Sequence, residues 1–344
     1  MSTTDLRGPG RPPVLFVSWA FVRGRCSEIA EALGGDSVSV YDPRFSDRRI
    51  APLRYLVSSV ITAAILVWRR PRSVIVTNPP IFPGLVAFAY GRLTGTPVVL
   101  DSHPGAFGRK DDRVSARMLP VHRWLARRSA AVMVTADGFV EEVQSWGGRG
   151  VVVHEAPPAW RVEGPSPAGE RPNVLFVAVF AKDEPVAEVV EAARHLPDCD
   201  VLITGDVAKA PPGLVESAPA NVDFVGFVPE DEYVALLEGA DVVVALTTEP
   251  LSVMRSAYEA VYARRPLVVT DWPELRSLFP FAVPTENDTE SLAAAIRAAV
   301  DERGRLVGHV EEALALQERR WDEQLAALRR SLELEGDSTS AVTR

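Results

Sequence analysis

Apolar and polar positions change period repeatedly along this chain. Short β-branched runs alternate with stretches of helical period, the pattern of βαβ units wrapped around a parallel sheet. VLFVS (Val14–Ser18) reads as a first strand, and RCSEIAEAL at residues 25–33 as the helix behind it. SVSVY at 37–41 is a second strand, an apolar helix follows at 53–68, and SVIVT at 73–77 is a third strand. FPGLVAFAYGRLTG (82–95) is helical and leads into PVVLD (97–101). A basic helix around HRWLARRS (122–129) precedes the strand AAVMVT, and ADGFVEEVQSWG precedes VVVHE. Right-handed crossovers turn such a series into an open, doubly wound sheet.

At residues 156–172 the period disappears. APPAWRVEGPSPAGERP holds five prolines and two glycines, the composition of a linker. The alternation then resumes with NVLFVAVF (173–180), the helix PVAEVVEAARHL and the strand DVLITGD. With 344 residues, the chain exceeds the usual size of one hydrophobic core. The expected organisation is an α/β domain at 1–155, the linker, a second α/β domain at 173–310, and a charge-rich terminal helix at 311–335.

A net charge of −9 argues against a nucleic-acid partner, whose binding surface would be basic. Cys26 and Cys199 match neither a metal spacing nor a disulfide framework and read as free thiols of a reducing cytoplasm. The N-terminal MSTTDLRGPGRPP lacks the apolar run of a secretory signal. Residues 53–68, LRYLVSSVITAAILVW, are followed by Arg69, Arg70 and Arg72. At ~1.5 Å per residue this segment is about 24 Å long, shorter than a bilayer core of about 30 Å. The first expectation is a helix buried in the first domain. The alternative is a helix resting on an anionic membrane face, making the protein peripheral on the inner surface.

The most informative stretch is residues 224–279, FVGFVPEDEYVALLEGADVVVALTTEPLSVMRSAYEAVYARRPLVVTDWPELRSLF. A strand ends in Gly226, a short helix follows, and Ala240-Asp241 opens a buried strand. A helix carrying Glu259 comes next, then a strand after Pro266. That order and spacing resembles the nucleotide-sugar half of family-4-type glycosyltransferases. TNPPIFPG (77–84) and DSHPGAFG (101–108) resemble stretches of bacterial polysaccharide glycosyltransferases and, more distantly, of the chitobiosyl-diphosphodolichol mannosyltransferases. The resemblance implies the GT-B fold, two facing Rossmann-like domains with a cleft between them.

Ligands of doubly wound sheets bind beyond the carboxyl ends of the strands. The helix starting near Met254 presents free N–H groups suited to a diphosphate, and Arg255 and Ser256 lie in its first turn. By resemblance, Glu259 bonds the donor ribose, and Gly226 with Phe227 holds the base. The family's usual second glutamate, eight positions earlier, is replaced by Leu251, which leaves Glu249 as the candidate beside the donor sugar. The arginine expected after the first strand of this domain falls on Val179, so Lys182 is the available cation. In the first domain, His103 follows a strand where the family places a histidine at the reacting centre. Arg23, Gly24, Asn78, Asp101 and Phe107 end or follow strands and are the acceptor-side candidates.

Asp198-Cys199-Asp200 spells a metal-binding DxD, but it precedes a strand and so falls at the opposite sheet edge. Neither a metal nor a cofactor is expected. The implied activity is transfer of a sugar from a nucleotide-diphosphate sugar to a saccharide, a lipid-linked saccharide or a small metabolite. Family 4 implies retention of configuration, and the mannosyltransferases imply inversion. Two other readings are a nucleotide-sugar epimerase and a nucleotide-sugar-binding scaffold without catalysis.

Overall fold

A computed structural model gives the fold and describes residues 11–19, 24–41, 50–108, 113–162 and 169–334, without the side chains of 113–115 and 310. The chain divides into two compact units, residues 1–156 with 320–344, and 157–319.

In the first unit the strands are β1 (Val14–Ser18), β2 (Asp36–Ser39), β3 (Ser73–Asn78), β4 (Val98–Ser102), β5 (Ala131–Val134) and β6 (Gly150–Val152). All neighbours pair in parallel in the order β2-β1-β3-β4-β5-β6. The crossovers are α1 (Arg25–Ala32), α2 (Ala51–Arg69), α3 (Phe82–Thr94), α4 (Arg113–Ala126) and α5 (Asp137–Ser145). β1, β3, β4 and β5 are buried along their whole length, as their unbroken apolar runs require when helices cover both faces.

The second unit holds β7 (Asn173–Phe176), β8 (Asp200–Thr204), β9 (Val222–Gly226), β10 (Val242–Ala245), β11 (Leu267–Thr270) and β12 (Val283–Thr285). Its order, β12-β11-β10-β7-β8-β9, is the dinucleotide-binding arrangement, with the reversal of strand order between β7 and β10. Its helices are α6 (Val186–Ala193), α7 (Glu230–Gly239), α8 (Arg255–Tyr262), α9 (Pro273–Leu278), α10 (Thr289–Asp301), α11 (Arg303–Gly308) and the start of α12 (Val310–Ser331). Within the proline-rich segment Val162 is fully buried in this unit's core, and its carbonyl accepts from Arg264.

The two halves of α12 have different neighbours. Gln317 donates to the carbonyl of Leu278 in the second unit. Trp321, Leu328 and Leu332 belong to the first unit's core, where Gln324 clamps His154 through the His154 N–H at 2.8 Å and Nδ1 at 2.9 Å. Arg23 lies outside the described residues.

α2 overturns the expectation of a buried helix. Leu53, Leu56, Val60, Val67 and Trp68 are each 57–63% exposed. The positions turned inward are Ser58, Thr62, Leu66 and Arg69. Thr62 accepts the indole N–H of Trp19 at 2.9 Å, and Arg69 pairs with Asp36. The hydrophobic run was read as core because hydropathy does not say which side of a helix meets the sheet. Here the serine and threonine lie on the inner side.

Below β4 a buried polar chain joins three elements. Asn78 Nδ2 donates to Ser102 Oγ at 3.1 Å, and Ser102 Oγ lies 3.0 Å from His122 Nε2. His122 Nδ1 faces the Ala106 carbonyl at 3.2 Å, an acceptor only, so Nδ1 carries the proton and Nε2 accepts from Ser102. Burial pushes His122 down to about 4 against the Ala106 bond, and burial with Arg320 and Arg25 pushes His154 down to about 3.

Both histidines are therefore neutral when folded, while the unfolded chain protonates them near pH 6.5. Between that value and about 4 the unfolded state binds more protons, so stability falls as pH falls. The expected loss is roughly 2–4 kcal/mol per histidine by pH 4. Thermal unfolding of wild type and His122→Asn at pH 7 and pH 4.5 checks this. The variant should lose less between the two pH values, and an equal loss in both proteins would contradict the assignment.

Candidate active site

In the second unit the crevice lies where β7 and β10 lead their chains to opposite sides of the sheet. The loop after β10 is anchored at Thr247, which is fully buried. Its N–H donates to Thr270 Oγ1, its carbonyl accepts from Trp272 and Asn287, and its hydroxyl accepts the N–H of Glu249. The loop after β7 is folded by Glu184, whose carboxylate accepts the N–H groups of Val179 at 2.9 Å and Ala181 at 3.0 Å. The two loops join across the switch point, where Thr248 donates its N–H to the Asp183 carbonyl at 2.7 Å. Between Glu249 and Met254 the chain turns through Leu251 at φ 62°, a conformation that costs a non-glycine residue about 1–2 kcal/mol.

Met254 is the N-cap of α8, in extended conformation, and Arg255 and Ser256 begin the helix. Arg255 Nε donates to Glu259 Oε1 at 2.8 Å. The other oxygen of Glu259 accepts the hydroxyl of Tyr233, from α7, at 2.6 Å. The carboxylate is held from two helices and keeps spare capacity, since its two oxygens offer about four lone-pair sites. Burial and the charge of Glu259 raise Tyr233 well above the usual phenol range, so it stays a donor.

Gly226 closes β9 at φ 79°, and no atom lies within 4 Å of where a Cβ would stand. A side chain there is excluded by backbone conformation rather than by crowding. Phe227 beside it is 84% exposed. Lys182 is exposed in the β7 loop, and Glu249 is half-buried.

In the first unit the matching edge is organised by Arg25, at the start of α1. Its guanidinium donates to the carbonyls of Val153 and His154 at 2.7 Å each, to Glu155 at 3.1 Å and to Asp101 at 3.5 Å. Asp101 is fully buried, and its other oxygen lies 3.2 Å from Nε2 of His103. The His103 N–H donates to the Asn78 carbonyl at 2.9 Å, which ties the histidine to the end of β3. Its side chain is 40% exposed at this edge. Gly24, the N-cap of α1 at φ 113°, lies immediately before Arg25.

The remaining candidates have other surroundings. Phe107 is only 3% exposed and stacks on Phe139 and Trp146, with His122 at its edge, so it serves the core instead of offering a surface to an acceptor. Asn78 is 2% exposed and spends its amide on Ser102. Asp198 and Asp200 pair with Arg297 and Arg171 at the amino end of β8. Among the described residues no group of three or more His, Cys, Asp and Glu is placed to hold a metal.

Two family models divide the chain between them. Residues 12–159 match the glycosyl transferase 4-like domain, and residues 171–302 match the glycosyl transferases group 1. The chain is a family-4-type glycosyltransferase.

Its backbone resembles that of Anabaena HepE, solved with UDP and glucose, at TM-score 0.69 and 14% identity, covering 94% of this chain and 99% of that one. Sucrose-phosphate synthase from Thermosynechococcus elongatus gives TM-score 0.67 and 16% identity, over 92% of this chain and all of that one. A glycosyltransferase from Rickettsia africae gives 0.65 and 14%, over 96% and 100%. No curated protein matches the sequence. These likenesses are in fold, GT-B.

In this glycosyltransferase the sequence reading overlooked Tyr233, Glu184 and Arg25. Arg25 had a usable signal. An arginine in the first turn of a helix opposes the helix dipole and calls for acidic partners. Asp101 lies near the carboxyl end of β4, and Glu155 follows β6 of the same sheet.

His103 is pulled two ways. Burial lowers the pKa of an imidazole, but the Asp101 carboxylate outweighs burial and raises it, while Asp101 is lowered in turn by His103 and Arg25 against its own burial. The imidazolium–carboxylate contribution to stability is present below the ordinary histidine value and is lost as pH rises through the raised one. In Asp101→Asn the His103 imidazole should titrate at lower pH than in wild type, as followed by NMR of its ring protons. An unchanged or higher titration point would remove Asp101 as the cause.

Proposed function

We propose that this glycosyltransferase takes its sugar from a nucleoside-diphosphate sugar bound in the second unit and passes it to an acceptor hydroxyl held by the first. The observation that carries this reading is the clamped Glu259. It is a buried carboxylate held by Tyr233 and Arg255 one turn into α8, beside the switch point of a dinucleotide-type sheet. The HepE structures with UDP and with UDP-glucose support a uridine nucleotide as the first ligand to try.

In this reading the ribose hydroxyls donate to the open lone pairs of Glu259. The diphosphate lies at the amino end of α8, where unpaired N–H groups and the helix dipole favour negative charge. Arg255 is near enough to share that charge while it braces Glu259. Such fixed cations and dipoles stabilise a leaving diphosphate without reorganisation and take the role that a metal plays in other transferases. The bond between the anomeric carbon and the phosphate oxygen breaks, and its electron pair stays on the diphosphate. The acceptor oxygen bonds to the same face of that carbon, and its proton passes to the leaving phosphate, which retains configuration. His103, exposed at the first unit's edge and oriented by Asp101, acts on the reacting sugar rather than on the nucleotide.

Two outcomes are expected. Glu259→Ala should weaken UDP binding by about 1.5–3 kcal/mol, the worth of hydrogen bonds to a charged group, as measured by calorimetry. Unaltered affinity in a folded variant would remove Glu259 from the nucleotide site. A thermal-shift panel of UDP, GDP, ADP and dTDP identifies the base, since a ligand at 100 times its Kd stabilises by about 2.7 kcal/mol.

His103→Ala separates the two units' roles. Turnover should fall on the order of 10²-fold or more, as for loss of a positioned acid–base or hydrogen-bonding group, while UDP affinity stays within about twofold. Wild-type turnover in this variant would place His103 outside the reaction.

A further inference from the structure

We infer that the outward face of α2 lies on an anionic lipid bilayer. The helix is inverted relative to an ordinary surface helix, which turns its apolar stripe to the core. Ser58 and Thr62 face the protein, whereas Leu53, Leu56, Val60, Ile61, Val67 and Trp68 face outward. Every exposed position from Pro52 to Trp68 is apolar, and α2 contains no aspartate or glutamate. Single exposed leucines need no explanation, but a continuous stripe along nineteen residues implies an apolar partner.

The charge around the stripe identifies that partner. The protein as a whole is acidic, at −9, yet the carboxyl end of α2 gathers cations. Arg70 and Arg72 are exposed there, and the exposed Arg11 is bound to Arg70, its Nε donating to the Arg70 carbonyl at 2.9 Å. Leu93, 88% exposed at the end of the neighbouring α3, and the exposed Arg92 extend the same pattern. A tryptophan flanked by arginines beside an aliphatic stripe suits the junction of lipid headgroups and acyl chains.

α2 runs from Ala51 to Arg69, longer than the segment read from the sequence, and against that expectation it is long and apolar enough to cross a membrane. Its attachments decide otherwise. Thr62 is bonded to Trp19 at the end of β1, Arg69 is paired with Asp36 on β2, and the inward face packs against α3. A helix so embedded in a soluble-type sheet lies along the lipid surface instead of through it. A groove of about 460 Å³, lined by Leu53, Val57 and Ile61 of α2 with Trp19, Tyr41 and Pro80, continues the apolar surface toward the strand ends.

Vesicle cosedimentation tests this with the full-length protein. It should bind phosphatidylcholine vesicles containing phosphatidylglycerol at about 50 mM salt, bind pure phosphatidylcholine far less, and lose its preference for the anionic vesicles at about 500 mM, where charge attraction is screened within a few ångström. Replacing Arg11, Arg70 and Arg72 by Gln should lower the partition coefficient on the order of 100-fold. Leu56→Glu with Val60→Glu, both at exposed positions, should abolish binding while circular dichroism and thermal unfolding stay at wild-type values. The inference is overturned if wild type ignores anionic vesicles at low salt. It is equally overturned if sedimentation velocity shows a dimer that the two glutamates dissociate, since a second copy would then cover the face.

Discussion

Parallel strand pairing is the constraint on which the rest of this molecule depends. Every pairing among the described residues is parallel, in both sheets. Each strand must therefore be followed by a crossover, and all the loops that leave carboxyl ends gather at one edge. The register of β3 against β4 sets Thr77 opposite Asp101 and Asn78 opposite Ser102. That pairing brings His103 to the end of β3, where its N–H finds the Asn78 carbonyl. In the second sheet the register of β10 against β7 puts Thr248 beside Asp183. Asp198, before β8, and Asp200, its first residue, are carried by the same rule to the opposite edge and meet arginines there.

Arg25 and Asp101 illustrate how such an edge is held. Both are buried, and removing two charges from water costs several kcal/mol each, so the pair alone is weak evidence for stability. What the arrangement does accomplish is geometric. Arg25 connects the start of α1 to the end of β4 and to the backbone after β6, through four acceptors. The carboxylate it fixes in turn fixes the His103 ring. In the second unit Tyr233 and Arg255 orient Glu259 in the same manner. In both units a group able to touch a ligand is aimed by neighbours that hold it.

The sequence made the topology legible because strands buried on both faces leave near-continuous apolar runs, as in VLFV and VVVA. The helix start at Met254 and Arg255 was legible from the strand before it, and the structure has it there. Contacts between distant segments were not. Tyr233 and Glu259 are 26 positions apart, and Arg25 and Glu155 are 130 apart, so no local pattern announces either pair. Phe107 is an acceptor-side candidate in the sequence because it comes after a strand, and nothing in that position announces its burial. The short turn at Pro104–Phe107 folds it back among Phe139 and Trp146. α2 failed for another reason. Its composition was read correctly as apolar, but the direction of the apolar face depends on Trp19 and Asp36, which select the polar side.

The polar side of α2 also bears on the carboxyl edge of the first unit's sheet. The indole N–H of Trp19 needs a partner once buried, and Thr62 supplies it at 2.9 Å, so the polar side of α2 is consumed in satisfying the end of β1. The apolar side is then left outward by geometry, because a helix cannot present both stripes inward. The groove beside it shares Leu53, Val57 and Ile61 with that outward face and Trp19 and Pro80 with the strand ends. A surface that covers the helix therefore also borders the groove. Binding at α2 and access to the carboxyl edge of β1 and β3 are physically one problem, joined through the Trp19–Thr62 hydrogen bond.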